Sequence, residues 1–279
     1  MAVTTGLHPT AIIDDEASIP DSCEIGPYTV IGPGVELGER VRIGPHVYIE
    51  RDTRIGDDCR IWKGAVLGTD AQDLKYMGER TWLEVGAGTK IREYATLNRG
   101  TAASGTTVVG EDSLIMAYAH VAHDCKVGRH VVLANSVQMA GHVEIGDWVM
   151  VGGLSGIHQF VRIGSHSMVG GASRVVQDVA PFTLVVGNPC ACYGLNRIGL
   201  RRQGFSAESV AELRIAYRQL FQSETPTRKG VEDFELQGAS REVVELVRFM
   251  RESGRGVTTP GRGAHVDVEA ATKDPPDPS

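Results

Sequence analysis

An aliphatic residue returns at every sixth position along most of this chain, and that regularity excludes nearly every fold but one class. From Ile13 the series runs through Ile19, Ile25, Ile31, Leu37, Ile43, Ile49, Ile55, Ile61 and Leu67. It resumes with Val85, Ile91 and Leu97, then continues unbroken from Val109 through Ile115, Val121, Val127, Leu133, Met139, Ile145, Val151, Ile157, Ile163, Val169 and Val175. Two residues before the aliphatic position sits a small or β-branched side chain, as at Ala17, Thr29, Val35, Val131, Val143 and Val161. Each hexad therefore supplies two inward residues. Neither a helical period of about 3.6 nor simple strand alternation fits this pattern. Short strands joined by tight corners do fit: three hexads make a triangular coil of about 18 residues, stacked roughly 4.8 Å above the last.

A glycine often follows the aliphatic residue, as at Gly26, Gly32, Gly38, Gly44, Gly56, Gly110, Gly128, Gly146 and Gly164. The expectation is a corner that needs glycine's conformational freedom. Cys23, Cys59 and Cys125 fall on the small inward position and read as core filler, whereas Cys190 and Cys192 lie beyond the repeat. The coil is expected over residues 1–190, interrupted at 69–84 and 98–108, where excursions from a regular scaffold tend to carry function. A helical domain is expected over 191–251. Ser206 precedes the stripe Val210, Leu213, Tyr217, Leu220 and Phe221, and Ser240 precedes Val243, Val244, Val247 and Met250. These helices suit a cap over the open end of the coil. Residues 252–279 read as a disordered tail.

The net charge of −7 argues against a nucleic-acid partner, which needs a basic footprint. The chain lacks an apolar run of about 20 residues and a secretory core at its start, so no stable membrane insertion is expected. Five cysteines without a disulfide pattern fit a reducing, cytoplasmic setting.

The register also locates chemistry. All eight histidines up to His166 miss both inward positions, so a satisfied core histidine is not expected within the coil. His123, Gly141 and Gln159 are spaced by 18 and should stack on one face of the prism, with His142 and His158 beside that column and His120 three residues before His123. Two chemistries suit such a cluster. A histidine oriented by a carboxylate such as Asp124 can act as a general base, with the Gly141 N–H stabilising an oxyanion. Alternatively, His120, His123 and His142 can bind zinc, as in β-helical carbonic anhydrases. A non-catalytic repeat scaffold is the third reading, and it predicts no such column.

Local motifs add a resemblance. QDLKY at 72–76, HVAHDCKVG at 120–128, LANSVQMAGHVEIGD at 133–147, GIHQFVRIG at 156–164, GNP at 187–189 and NRIGLRRQGF at 196–205 resemble the UDP-N-acetylglucosamine O-acyltransferase family, which opens lipid A synthesis. The resemblance implies a left-handed parallel β-helix, mainly β, with a C-terminal α-helical cap. It implies a homotrimer with active sites between neighbouring prisms. The implied reaction moves a 3-hydroxyacyl chain from acyl carrier protein to the glucosamine 3-hydroxyl of UDP-N-acetylglucosamine, without metal, cofactor or covalent acyl-enzyme.

Mapped by motif, His123 becomes the base, Asp124 its partner and Gly141 the oxyanion donor. Gln72, Asp73, Lys75, His120, His142, His158, Gln159, Asn196 and Arg202 become substrate-binding residues, and Gly171 the residue that governs acyl length. Gln203 departs from the pattern, because relatives carry an arginine there. A sugar N-acyltransferase on the same scaffold is the nearest rival. Against it, the hexads begin by residue 13, leaving no room for an additional N-terminal nucleotide-binding domain.

Overall fold

The structure, a computed structural model, describes residues 6–223 and 227–261. Strands of two to five residues form sheets of nine, seven and ten strands, and these are the faces of a triangular prism. Face one begins at Ile12–Ile13, face two at Glu36–Leu37 and face three at Glu24–Ile25. Along uninterrupted coils each strand pairs in parallel with the strand 18 residues on, as Val121 with Met139 and Met139 with Ile157. The inward ladder is sealed: Ile31, Ile49, Leu67, Leu97, Val121, Met139 and Val151 are each at most 1% exposed.

The glycines do a different job from the expected one. The left-handed backbone at the corners falls two residues later and is held mostly by other residue types, including Asp124 and His142 at φ +60° and Phe160 at +63°. Glycine after the aliphatic residue instead lets successive coils approach. A Cβ on Gly110 would lie 2.5 Å from the Gly128 carbonyl oxygen, and one on Gly146 would lie 2.6 Å from the Ser165 nitrogen. The residue between these two positions contributes no N–H to the ladder, which is why Pro27, Pro33 and Pro45 are accommodated there.

Both ends of the sequence-based boundaries shift. The sheet runs past residue 190, because Ala191–Leu195 returns antiparallel onto Thr183–Val186 of face three. The helices follow: α1 (Arg197–Arg202), α2 (Ala207–Phe221), α3 (Thr227–Glu232) and α4 (Arg241–Arg251). Ser206 caps α2 by accepting from the Ser209 N–H at 3.0 Å. Leu213, Tyr217, Leu220, Leu246, Val247 and Met250 are buried between the helices and the coil end.

Residues 252–261, expected as part of a disordered tail, are packed. Thr258 N–H donates to the Asp178 carbonyl at 2.7 Å, and Cys192 N–H donates to that of Thr259 at 3.0 Å. Ser253 Oγ–H reaches the buried Asp178 carboxylate at 2.8 Å. Polar composition suggested disorder, but these backbone bonds close the last coil. Residues 262–279 lie outside the described residues.

Candidate active site

His123 stands at the corner where the chain turns from face one, at His120–Val121, to face two, at Lys126–Val127. Both excursions leave from this same prism edge. The first joins Val66–Thr69 of face one to Trp82–Val85 of face two, and the second joins Thr96–Asn98 to Thr106–Val109. The segments off the coil are therefore 70–81 and 99–105, narrower than the broken repeat implied. They lie directly below the His123 corner.

The second excursion completes the site. Asp124 is 3% exposed and accepts from Thr101 N–H at 2.9 Å, Thr101 Oγ1–H at 2.7 Å and Ser104 Oγ–H. His123 Nδ1 lies 2.8 Å from Asp124 Oδ2. Burial pushes this carboxyl up, but the donors from Ser104, Thr101 and His123 outweigh it and hold the carboxyl at about 2. An ionised Asp124 keeps the imidazole proton on Nδ1 and leaves the Nε2 lone pair free.

That lone pair faces Gly141. A Cβ on Gly141 would lie 2.5 Å from His123 Cε1 and 2.6 Å from Nε2, so only glycine admits the ring in this position. The Gly141 N–H makes no hydrogen bond among the described residues, since its place in the corner lies outside the ladder. A base and a backbone donor thus face the same small space. The expectation about outward histidines needs one correction. His123 misses the inward ladder yet is only 8% exposed, because its corner is enclosed by its neighbours.

The His142 ring meets His123 edge-on at 5.1 Å and stacks on Phe160 at 4.5 Å, and its Nε2 lies 3.7 Å from Asp124 Oδ2. His120 Nδ1 lies 2.7 Å from Thr96 Oγ1. Burial, and then the neighbouring His123, shift His120 below the usual imidazole range, which favours its neutral form. His158 and Gln159 are exposed at the same edge, above Gly141. Thr101, Ser104 and Phe160 were not singled out by the sequence reading. Phe160 was available to it, being 18 residues beyond His142.

Of the other expected residues, those of the first excursion share the His123 edge and the rest do not. Lys75 and Gln72 are exposed on the first excursion, where Asp73 Oδ1 accepts from the Lys75 N–H at 3.0 Å. Asn196 caps α1 by accepting from the Gly199 N–H, and donates to the His166 carbonyl at 2.9 Å. That anchor puts Asn196, and the helix bearing Arg202, at the edge between faces two and three. Gln203 Oε1 lies 2.6 Å from His166 Nδ1, so the residue that departs from the motif is fastened to the same corner. Gly171 lies at the third edge, between faces three and one, and is exposed.

Among the described residues, ligating atoms close enough for a metal occur at His123, Asp124 and His142, within 4.8 Å of one another. This is not the triad of His120, His123 and His142 expected for zinc. Two of its members are already engaged with each other, His123 Nδ1 with Asp124.

Ser104→Ala removes one donor from Asp124 and should raise its pKa. A carboxyl held below its unfolded value near 3.9 stabilises the fold above that pH and loses the contribution as pH falls through about 2. The whole effect is on the order of 2 kcal/mol. Acid unfolding followed by circular dichroism should move to higher pH in Ser104→Ala; an unchanged midpoint counts against the hydrogen-bonded carboxylate.

Comparison with known proteins places these features in context. The family profile for UDP-N-acetylglucosamine O-acyltransferase, domain 2, matches residues 178–258, and that for bacterial transferase hexapeptide repeats matches 16–51, 34–69 and 106–141. A Burkholderia lata protein named acyl-(acyl-carrier-protein)–UDP-N-acetylglucosamine O-acyltransferase is 49% identical over 91% of this chain and 99% of its own length. A Synechocystis protein of the same name is 43% identical over 75% and 78%. The solved structure of LpxA from Acinetobacter baumannii superimposes with a TM-score of 0.87 at 43% identity, covering 90% of this chain and 99% of its own. The Francisella novicida UDP-N-acetylglucosamine acyltransferase gives 0.89 at 34% identity, covering 96% and 99%. The coil is a left-handed parallel β-helix of hexapeptide repeats.

Proposed function

Because this chain belongs to the UDP-N-acetylglucosamine O-acyltransferase family, we propose that His123 is the general base of a direct acyl transfer, with the Gly141 N–H as oxyanion donor. The enzyme moves an acyl chain from acyl carrier protein to UDP-N-acetylglucosamine, the first step of lipid A biosynthesis. On our reading the chain is a 3-hydroxyacyl group and the acceptor is the glucosamine 3-hydroxyl. His123 Nε2 takes the hydroxyl proton as the sugar oxygen bonds to the thioester carbonyl carbon. The negative charge of the tetrahedral intermediate develops on the former carbonyl oxygen, beside the Gly141 N–H. Collapse breaks the carbon–sulfur bond, and His123 returns its proton to the departing carrier thiolate. Asp124 stays ionised throughout and stabilises the imidazolium.

The observation that carries this reading is the stack of His123 against Gly141, with Asp124 fixing the opposite ring nitrogen at 2.8 Å. The functional test offers carrier proteins charged with 3-hydroxyacyl chains of several lengths, with UDP-N-acetylglucosamine and its 3-amino counterpart as acceptors. Transfer to the hydroxyl sugar supports the reading, and preference for the amine turns it toward N-acylation. Stoichiometric zinc in the active protein overturns the metal-free mechanism.

The remaining site residues take binding roles on this account. His120, His142, His158 and Gln159 line the edge that holds His123, with Gln72, Asp73 and Lys75 on the loop beside it. Asn196 and Arg202 on a second edge, and Gly171 on a third, meet that edge only if prisms stand side by side. This favours a homotrimer with shared sites. Tyr28, Tyr94, Tyr118 and Leu154, exposed along the edge of Gly171, suit burial by a neighbour. Sedimentation should return three times the 30.0 kDa chain mass. On this reading the enzyme works in the cytoplasm, and five cysteines without a disulfide pattern in the sequence fit a reducing compartment.

Gly171 leaves room for a long acyl chain of about fourteen carbons, with each excluded methylene worth roughly 0.8 kcal/mol of burial. A Cβ there would meet only the Gly153 carbonyl, at 3.2 Å, and backbone beyond it, so a larger side chain can project outward without breaking the coil. Gly171→Met should shift donor preference to chains several carbons shorter by at least tenfold in kcat/KM. An unchanged preference removes Gly171 from the acyl path.

A further inference from the structure

Among the described residues, the largest fully buried side chain is a charged one. Arg99, at the start of the second excursion, is 0% exposed. Its guanidinium donates to the Gly68 carbonyl and the Asp70 carboxylate, and reaches the Tyr76 hydroxyl at 3.2 Å. Glu50 Oε1 lies 3.8 Å away. Asp70 and Tyr76 belong to the first excursion. The neighbouring Asn98 grips the same segment, its Nδ2 donating to Thr69 Oγ1 at 2.8 Å and to the Asp70 carbonyl at 3.0 Å.

A buried guanidinium is poor value for stability alone, because desolvation offsets most of the attraction. Here Arg99 Nε, Asn98 Oδ1 and Thr81 Oγ1 are buried without a protein partner, a further cost. The cluster has one evident product: it ties the first excursion to the second. At the far end of the loop, Glu79 accepts from the Ala102 N–H at 3.0 Å and Arg80 donates to Asp52 at 3.0 Å. Between these anchors Leu74, Lys75 and Met77 stand exposed, and the second excursion carries Thr101 and Ser104, the donors to Asp124.

We propose that Arg99 is a positioning residue for acyl transfer, latching the 70–81 loop to the 99–105 loop so that Lys75 is presented to substrate beside the His123 corner. The proposal rests on the substrate role of Lys75 argued above. Arg99 touches no reacting atom; it acts through the loop.

Arg99→Met keeps an unbranched, flexible stem, though a shorter one, and removes the charge and the donors. In the purified full chain, tryptic cleavage after Lys75 should quicken at least tenfold, and KM for UDP-N-acetylglucosamine should rise at least tenfold with a smaller change in kcat. Lys75→Ala, which raises KM in the wild-type background, should add less than twofold in Arg99→Met, because the loop no longer presents Lys75. Unchanged proteolysis in the folded variant, or KM effects that simply multiply, overturn the proposal. If Lys75→Ala alone leaves KM unchanged, the substrate role of Lys75 fails, and the tryptic rate still decides whether the latch exists. Should Arg99→Met not fold, Tyr76→Phe takes its place: faster cleavage supports the latch and an unchanged rate overturns it.

Discussion

Replacing His123 with alanine lowers kcat by about 10²- to 10⁴-fold, the range lost with a general base, while KM for UDP-N-acetylglucosamine changes by only a few-fold. The split follows from the placement of the ring. His123 sits in a corner outside the ladder core, so removing it leaves the inward stack of Val121, Val127 and Met139 intact. Asp124 keeps its donors from Thr101 and Ser104, so the variant strands no unpaired carboxylate. Steady-state kinetics beside a circular dichroism spectrum read the effect. A kcat within threefold of wild type would remove His123 from the chemistry.

Gly141→Ala is the second large effect, and its cause is steric. The new methyl carbon would overlap His123 at 2.5 Å from Cε1 and 2.6 Å from Nε2, well inside van der Waals contact. Gly141 does not have the left-handed φ that would add a backbone penalty, and the three atoms nearest the added carbon all belong to the His123 ring. Displacing a catalytic group by about 1 Å can cost about 10²-fold in rate, and overpacking typically costs about 1–3 kcal/mol. The two effects share one origin. In a His123→Ala background the methyl has no ring to strike, so the stability penalty of Gly141→Ala should largely vanish. A double-mutant cycle by thermal unfolding measures this coupling, and additive penalties would show that the ring does not rest on Gly141.

The coil and the heart of the site were legible for one reason: a strict period converts sequence spacing into distance. Counting by 18 from His123 reaches Gly141, and the structure sets the His123 ring in the space a Gly141 side chain would fill. Legibility ends where the register ends. Thr101 and Ser104 lie in an excursion, so nothing in their spacing announced that they hold Asp124. Arg99 lost its periodic neighbours in the same way, and an isolated arginine in a sequence reads as solvated. The glycines after the aliphatic positions were visible but misread, since close approach between coils and a left-handed corner both favour glycine. The packing of residues 252–261 depends on backbone bonds to Asp178 and Cys192, which polar composition does not report. The three-edge distribution of Lys75, Asn196 and Gly171 emerged only when each residue had a place on a face.

Rapid-quench mixing of the protein with a radiolabelled 3-hydroxyacyl carrier protein, with and without UDP-N-acetylglucosamine, tests direct transfer most closely. The account predicts that label leaves the carrier only when the sugar is present, appears as the 3-O-ester, and never resides on the protein, with His123→Ala slow in that single step. A burst of labelled protein in the absence of sugar would contradict it, because His123 and Gly141 would then be serving a covalent intermediate.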